Sequence, residues 1–263
     1  MSFEWDYMLD VRPTWANKEQ ARNWEDSVRR NLTWIAKTAS GRIVLNSIAF
    51  YRKWVPIYPY DEKLGSCNAY VGPNSAPSRD GRGYGATVFF SPHKFHRSSP
   101  CHGGAGNDRG SLPDEVLLHE LVHAFRRVSG KRNRTETSGG LINYNSNEEF
   151  IAILITNIYV TDPTNRIKTG LRRDHKGFAS LEPELASSFE FFESSMSAFS
   201  EVQQLVADHP GLTRALAKVP ATFNPITAFL HDRAKAQRHS LSARALIRDA
   251  AGWGMAIRKS LGL

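Results

Sequence analysis

Two histidines four residues apart, with a glutamate directly after the first, stand in the stretch LLHELVHAFRR, Leu117 to Arg127. Residues four apart share one face of an α-helix, so His119 and His123 can each offer a ring nitrogen to the same ion. Glu120 is one residue round from His119, where a general base for a zinc-polarised water would stand. The spacing therefore predicts a catalytic zinc site with His119 and His123 as ligands and Glu120 as the base.

The alternative is an ordinary buried helix whose histidines form hydrogen bonds elsewhere. The surrounding positions are mostly apolar and predict burial: Leu117, Leu118, Leu121, Val122, Ala124 and Phe125. Three polar side chains inside a buried helix need partners. One metal site accounts for all three, so we prefer the metal interpretation.

A catalytic zinc ion needs a third protein ligand and one open position. The candidates lie in YNSNEEFIAILITNIY, where Glu148 and Glu149 begin an otherwise apolar helix that we predict from Asn145 to Val160. Two acids in a first helical turn also complement the helix dipole without any metal. Helical phase alone leaves Glu148 and Glu149 open as the third ligand.

These two segments together resemble the gluzincin metallopeptidases, most of all the catalytic domain of anthrax toxin lethal factor and the NleD-type zinc-protease effectors that bacteria inject into host cells. In the lethal-factor pattern, the ligand glutamate precedes two bulky apolar residues and an alanine, in a segment opened by a tyrosine. Glu149-Phe150-Ile151-Ala152 matches that pattern, and Tyr144 stands in the tyrosine's place. The resemblance covers about Leu112 to Tyr159. It implies Zn²⁺ as the cofactor, Glu149 as the third ligand and Tyr144 as the donor that steadies the oxyanion.

The function implied is a zinc-dependent metalloendopeptidase that hydrolyses peptide bonds in a protein or peptide substrate, with a bacterial effector or toxin as the narrower expectation. A strand at a sheet edge would hold the substrate extended, and we expect Ala86 to Phe90 to be that strand. The rival is a non-enzymatic, metal-containing binding protein or scaffold with a basic surface. A closed structural site would prefer four protein ligands, which argues against the rival.

Two other patches could serve such a site. Asp174 and His175, in LRRDHKGF, could supply a second electrophile or orient a ligand imidazole, although a solvated turn is the preferred interpretation. Lys131, Arg132 and Arg134 could attract an acidic or phosphorylated substrate, although a solvated loop is again preferred.

The remaining pattern predicts an α+β fold with a small sheet and a mostly helical C-terminal portion, and the resemblance implies that the core is zincin-like with a mixed sheet. We expect the catalytic core in residues 1–175 and the helical portion in 176–263, unless the two form one domain. Helical spacing and helix-end residues predict further helices at Lys18 to Thr38, Gly41 to Phe50, Ser111 (as N-cap) to about Ser129, Leu181 to Val206 and Leu241 to Ser260. The β-rich pieces are Lys53 to Tyr60, Asn68 to Val71 and Ala86 to Phe90.

Composition is that of a globular protein: 263 residues, 41% hydrophobic and 23% charged. The net charge of +8 favours contact with acidic surfaces, but the charge is dispersed, and we do not expect a nucleic-acid partner. The two cysteines, Cys67 and Cys101, form no disulfide framework, and their pairing stays open. The oligomeric state also stays open.

The start, MSFEWDYMLDVRP, has neither a basic beginning nor an apolar core, so we expect no cleavable signal peptide. The longest apolar run, Phe150 to Val160, is too short to span a bilayer. The expected location is the cytoplasm, or a target cell reached through an injection-type secretion system.

Overall fold

The computed structural model describes residues 7–60, 68–73, 84–96, 99, 110–134, 139–165, 169–175, 181, 188–193 and 196–239. The fold is mixed α+β, as predicted. The strands are β1 (Leu9–Val11), β2 (Val55–Tyr58), β3 (Tyr70–Pro73) and β4 (Ala86–Phe89). The α-helices are α1 (Lys18–Lys37), α2 (Ala39–Phe50), α3 (Pro113–Val128), α4 (Asn147–Thr161), α5 (Met196–Asp208), α6 (Pro210–Leu216) and α7 (Pro225–His231).

The four strands form one mixed sheet in the order β1-β2-β4-β3. The first three in that order run parallel, and β3 pairs with β4 antiparallel, with Val71 opposite Val88. Because β4 has a neighbour on each side, the expectation that Ala86 to Phe90 forms a sheet edge is wrong. Strand order depends on pairing between distant segments. Here β3, which precedes β4 in the chain, pairs with its outer side and forms the edge of the sheet.

A single threonine joins α1 to α2. Asn17 caps the start of α1 through its side-chain oxygen, and Thr38 ends the helix and caps α2, its hydroxyl accepting from Gly41 N at 2.9 Å. Gly41 sits so close to the end of α1 that an added Cβ would lie 2.1 Å from the Ile35 carbonyl oxygen. This tight corner fixes α1 and α2 as a pair, and both pack against α3.

The helix α3 lies at the centre of the molecule, in contact with α1, α2, α4 and β4. It begins one residue later than predicted, because Leu112 and not Ser111 is the N-cap. Glu115 reaches back and accepts from the Leu112 backbone N–H at 3.2 Å, which replaces a capping side chain at the N-cap itself. The helix ends before Ser129, as predicted.

Both ends of α4 are anchored. Ser146 caps its start, and Asp162, just past its end, accepts from the backbone N–H and the hydroxyl of Ser40 at 2.8 and 2.7 Å. Ser40 belongs to the first turn of α2, so α4 is held both to α3, by packing, and to α2, by this buried carboxylate.

The C-terminal helices continue the same hydrophobic core, which extends from Leu9 to Ala236. Within the predicted helix from Leu181 to Val206, the described part shows a 3-10 turn, Glu190–Glu193, and then α5. The predicted helix from Leu241 to Ser260 and both cysteines lie outside the described residues, and the proposed boundary after residue 175 stays a prediction. None of the described helices has the length and apolar character needed to cross a membrane.

Candidate metal centre

Side chains from α3 and α4 converge at one point in the buried interface of these helices. Nε2 of His119 and Nε2 of His123 are 3.0 Å apart, and their rings are nearly perpendicular, at 89°. Oε2 of Glu149 lies 3.0 Å from the first nitrogen and 3.2 Å from the second. The structure thus brings together the three residues predicted as metal ligands.

The donor set fits a divalent metal ion. Two imidazole nitrogens and one carboxylate oxygen meet here, and each of these atoms has a lone pair to offer a cation when its proton is absent. Two imidazole nitrogens and one carboxylate oxygen are also the ligands of known catalytic zinc sites. The structure therefore offers His119, His123 and Glu149 as a set that a divalent cation would hold together.

The electrostatics of the cluster favour positive charge at this point. Burial lowers the pKa of His119 to about 3. Burial also opposes a charge on His123, but the carboxylates of Glu149 and Glu148 outweigh it and raise the pKa of His123 to about 10. Burial would raise the pKa of Glu149, yet charge and hydrogen bonds from both histidines bring it far below its usual range. Without a metal, a proton on His123 supplies the positive charge that the carboxylate of Glu149 favours, and a bound cation would supply the same charge.

Glu148 lies on the other side of His123. Its Oε1 is 3.2 Å from Nδ1 of His123, and its Oε2 accepts from Arg126 Nε at 2.8 Å and from the Asn133 backbone N–H at 3.0 Å. The side chain is 1% exposed. Burial opposes its charge, but hydrogen bonding and charge from His123 and Arg126 lower its pKa. Glu148 thus faces Nδ1 of His123, while its neighbour Glu149 faces the Nε2 atoms of His119 and His123.

Glu120 belongs to the same centre. One ligand-type atom from each of His119, Glu120 and His123 lies within 4.8 Å of the others. Burial raises the pKa of Glu120 to about 7. A carboxyl group near its titration midpoint at neutral pH can both take and return a proton, as a general base must.

Tyr144 lies at the end of the 3-10 turn Gly139–Tyr144, just before α4. Its ring packs edge-on against Phe150, with 5.1 Å between the ring centroids. Burial raises the pKa of its hydroxyl above the usual value. Among the described residues, its hydroxyl has no hydrogen bond to the histidine and glutamate cluster, so its predicted role as oxyanion donor stays a prediction.

His175 lies at the centre as well, and its interpretation as part of a solvated turn is wrong. Its Nε2 is 3.2 Å from Oε2 of Glu149, and its ring is nearly parallel to that of His119, 6.1 Å away. Atoms of His119, Glu149 and His175 form a second group within 4.8 Å. The Asp174-His175 pair is visible in the sequence, but its 26-residue distance from Glu149 has no helical relation that predicts this contact.

A comparison with known protein families gives the class of the chain, a peptidase-type bacterial effector. The chain belongs to peptidase family M91, described as "effector protein", whose family model matches residues 14–182. This span includes α3, α4 and every residue of the site described above. No curated protein and no solved structure matches the chain.

Proposed function

We propose that the protein is a zinc-dependent metalloendopeptidase of gluzincin type, built on a zincin-like core. His119, His123 and Glu149 would hold the ion, and Glu120 would be the general base. One observation carries the proposal: the three ligand atoms, from two packed helices, lie 3.0–3.2 Å from one another. Membership in a peptidase family supports the same class of reaction.

Peptide hydrolysis at this site would need the metal ion and Glu120. A zinc ion held there would polarise the scissile carbonyl and a water molecule. Glu120 would take a proton from that water and pass it to the leaving amine. Its burial, at 6% exposure, supports this role because a carboxylate with little water around it is a stronger base.

The edge of the sheet that packs against α3 is a suitable place for an extended substrate. β3 is an edge strand of the described sheet and packs against α3. Arg132, just after α3, donates to the Val71 carbonyl of β3 at 3.3 Å, which ties the strand to the site. We assign β3, and not Ala86–Phe89, the role of aligning a substrate chain by strand addition.

The substrate class we propose is a protein of a target cell, cleaved at one or few bonds after delivery of this protein as an effector or toxin. The effector family and the resemblance to lethal factor and NleD-type proteases support this biology. The net charge of +8 favours an acidic substrate surface over a basic one.

A second candidate function has its own observation. His175 could complete a set of four ligands with His119, His123 and Glu149, and a closed four-ligand site is typical of structural zinc. The protein would then be a metal-stabilised binding protein or scaffold with no peptidase activity.

Metal content and cleavage separate these functions. We expect one equivalent of zinc in both the wild type and Glu120→Gln, measured by elemental analysis. Proteome-wide profiling of new N-termini in a lysate should find cleavage by the wild type only. Absence of bound zinc in both proteins would refute the metallopeptidase, and zinc in both without cleavage would favour the structural site.

A further inference from the structure

His175 differs from the other two imidazoles of the centre in its exposure to solvent. Its side chain is 34% exposed, against 7% for His119 and 3% for His123. It is therefore the imidazole of this group that solvent reaches most readily. A group in this place can contact a substrate directly.

The loop that carries His175 is held firmly. The His175 backbone N–H donates to the Asn143 carbonyl at 3.1 Å, and the buried Arg172 guanidinium donates to the carbonyls of Asp174, at 2.6 Å, and His175. The Arg172 backbone is itself paired with the Asn157 side chain of α4 at 3.0 and 2.7 Å. The ligand helix therefore positions this histidine through a chain of hydrogen bonds.

Asn145 determines which ring nitrogen of His175 carries the proton. The amide nitrogen of Asn145 faces Nδ1 of His175 at 2.8 Å, and because an amide nitrogen only donates, this orientation of the amide requires Nδ1 to accept. A neutral imidazole that accepts at Nδ1 has its proton at Nε2. Asn145 takes a left-handed backbone conformation, φ 66°, to present this amide, which asparagine tolerates better than most residues. The Nε2–H of His175 therefore points into the centre as a donor, without a lone pair for a metal.

We infer, on the basis of the proposed function, that His175 is a catalytic residue whose Nε2–H donates to the substrate oxygen that becomes negative when water attacks the carbonyl. Glu120 groups with His119 and His123, whereas His175 groups with His119 and Glu149, so the base and this donor have different neighbours in the centre. Substrate oxygen would replace Oε2 of Glu149 as the acceptor. His175 thereby takes the role that the family resemblance gives to Tyr144.

If His175 were instead a metal ligand, the amide of Asn145 would have to accept a hydrogen bond and not donate one. A ligating Nε2 needs its lone pair, so Nδ1 would carry the proton and donate to the amide oxygen of a turned Asn145. The two roles therefore predict different results when His175 itself is replaced.

Zinc affinity provides the first measurement and needs no substrate. We compare wild type and His175→Ala by competition with a chromophoric chelator, with the exposed His231→Ala as the matched control. A donor role predicts that His175→Ala changes zinc affinity by less than about threefold, because no ligand is lost. A fall of about 100-fold or more would identify a fourth ligand and overturn the inference.

The second measurement uses benzylphosphonate, a tetrahedral oxyanion, titrated into the cobalt-substituted protein and followed by its visible spectrum. Loss of a hydrogen bond to a charged oxygen should weaken its binding about 10- to 100-fold in His175→Ala, with no change in His231→Ala. Equal phosphonate affinity in wild type and His175→Ala would overturn the inference even if the proposed function holds. A wild type that binds no zinc or cobalt would overturn the proposed function, and the inference with it.

Cleavage of a peptide identified by N-terminal profiling gives the third measurement. We expect kcat to fall about 100- to 1,000-fold in His175→Ala with KM changed by less than about threefold, as for removal of other oxyanion donors. His175→Gln, which retains an N–H donor, should recover part of the loss. If kcat falls for Tyr144→Phe and not for His175→Ala, the oxyanion donor is Tyr144 and the inference is wrong.

Discussion

The two adjacent glutamates of α4 should respond differently to the same change, replacement by glutamine. Glu149→Gln keeps the size of the side chain but removes the charge that faces the Nε2 atoms of His119 and His123. Structural zinc sites bind with about 10–16 kcal/mol over four ligands, so one ligand contributes about 2.5–4 kcal/mol. We expect zinc affinity to fall about 100- to 1,000-fold in Glu149→Gln.

Glu148→Gln should affect zinc less and folding more. The carboxylate contacts the non-ligating nitrogen of His123, and loss of such a partner weakens metal affinity about 10- to 100-fold. It also balances the buried Arg126, and removal of one member of a buried ion pair costs about 3–5 kcal/mol. Arg126 cannot lose its proton, whereas His123 can, so Glu149→Gln should destabilise the metal-free fold less than Glu148→Gln does.

Both quantities can be measured on the same pair of proteins. Urea unfolding in the presence of EDTA gives the stability of the metal-free fold, and competition with a chelator gives the zinc affinity. The reasoning fails if Glu148→Gln loses more zinc affinity than Glu149→Gln, or if Glu149→Gln proves the less stable of the two. Either result would exchange the roles that the structure suggests for these neighbours.

Three further predictions concern pH and buried polar groups. Zinc affinity should rise with pH up to about 10, because zinc displaces the proton that Glu149 stabilises on His123, and calorimetry in two buffers should show release of about one proton. Burial lowers the pKa of His209 from 6.5 to about 4, so its unfolded form binds a proton first. Stability should therefore fall by about 2–3 kcal/mol between pH 6.5 and 4 in EDTA, and His209→Gln should reduce this slope. Asp162→Ala leaves two buried Ser40 donors unpaired and should cost about 2–4 kcal/mol in urea unfolding.

Each of these three has a result that contradicts it. Zinc binding without proton release would show that His123 is already neutral in the metal-free protein. A melting curve with the same pH dependence in wild type and His209→Gln would show that another group controls the acid transition, and the exposed His231→Gln is the matched control. A loss below about 1 kcal/mol for Asp162→Ala would mean that water or a rearranged turn satisfies Ser40.

The sequence predicts those features that depend on local periodicity. The helices α1 to α4 and the pairing of His119 with His123 follow from spacing within one segment. The N-cap of α3 differs by one residue because Glu115 makes the capping contact from inside the helix, and a good capping residue, Ser111, stands beside the true cap. The strand β1 was not predicted because its three residues form a strand only through pairing with β2.

The rest of the candidate site depends on contacts between distant segments. Glu148 and Glu149 are equivalent in sequence, and they differ in structure because α3 presents Arg126 and Nδ1 of His123 to one and the Nε2 atoms to the other. His175 reaches the centre only through the fold of its loop on α4. The edge position of β3 likewise follows from strand order, which no local pattern reveals.

Surface loops usually accept insertions and deletions between homologues, but residues 131–134 are an exception that follows from their contacts. Arg132 is bound to the edge strand, and the next residue, Asn133, gives its backbone N–H to Glu148. One extra residue between them would break either the hydrogen bond from Arg132 to β3 or the hydrogen bond from Asn133 to Glu148. Constant spacing from the second histidine to this pair should therefore distinguish active relatives from degenerate copies more sharply than the motif alone.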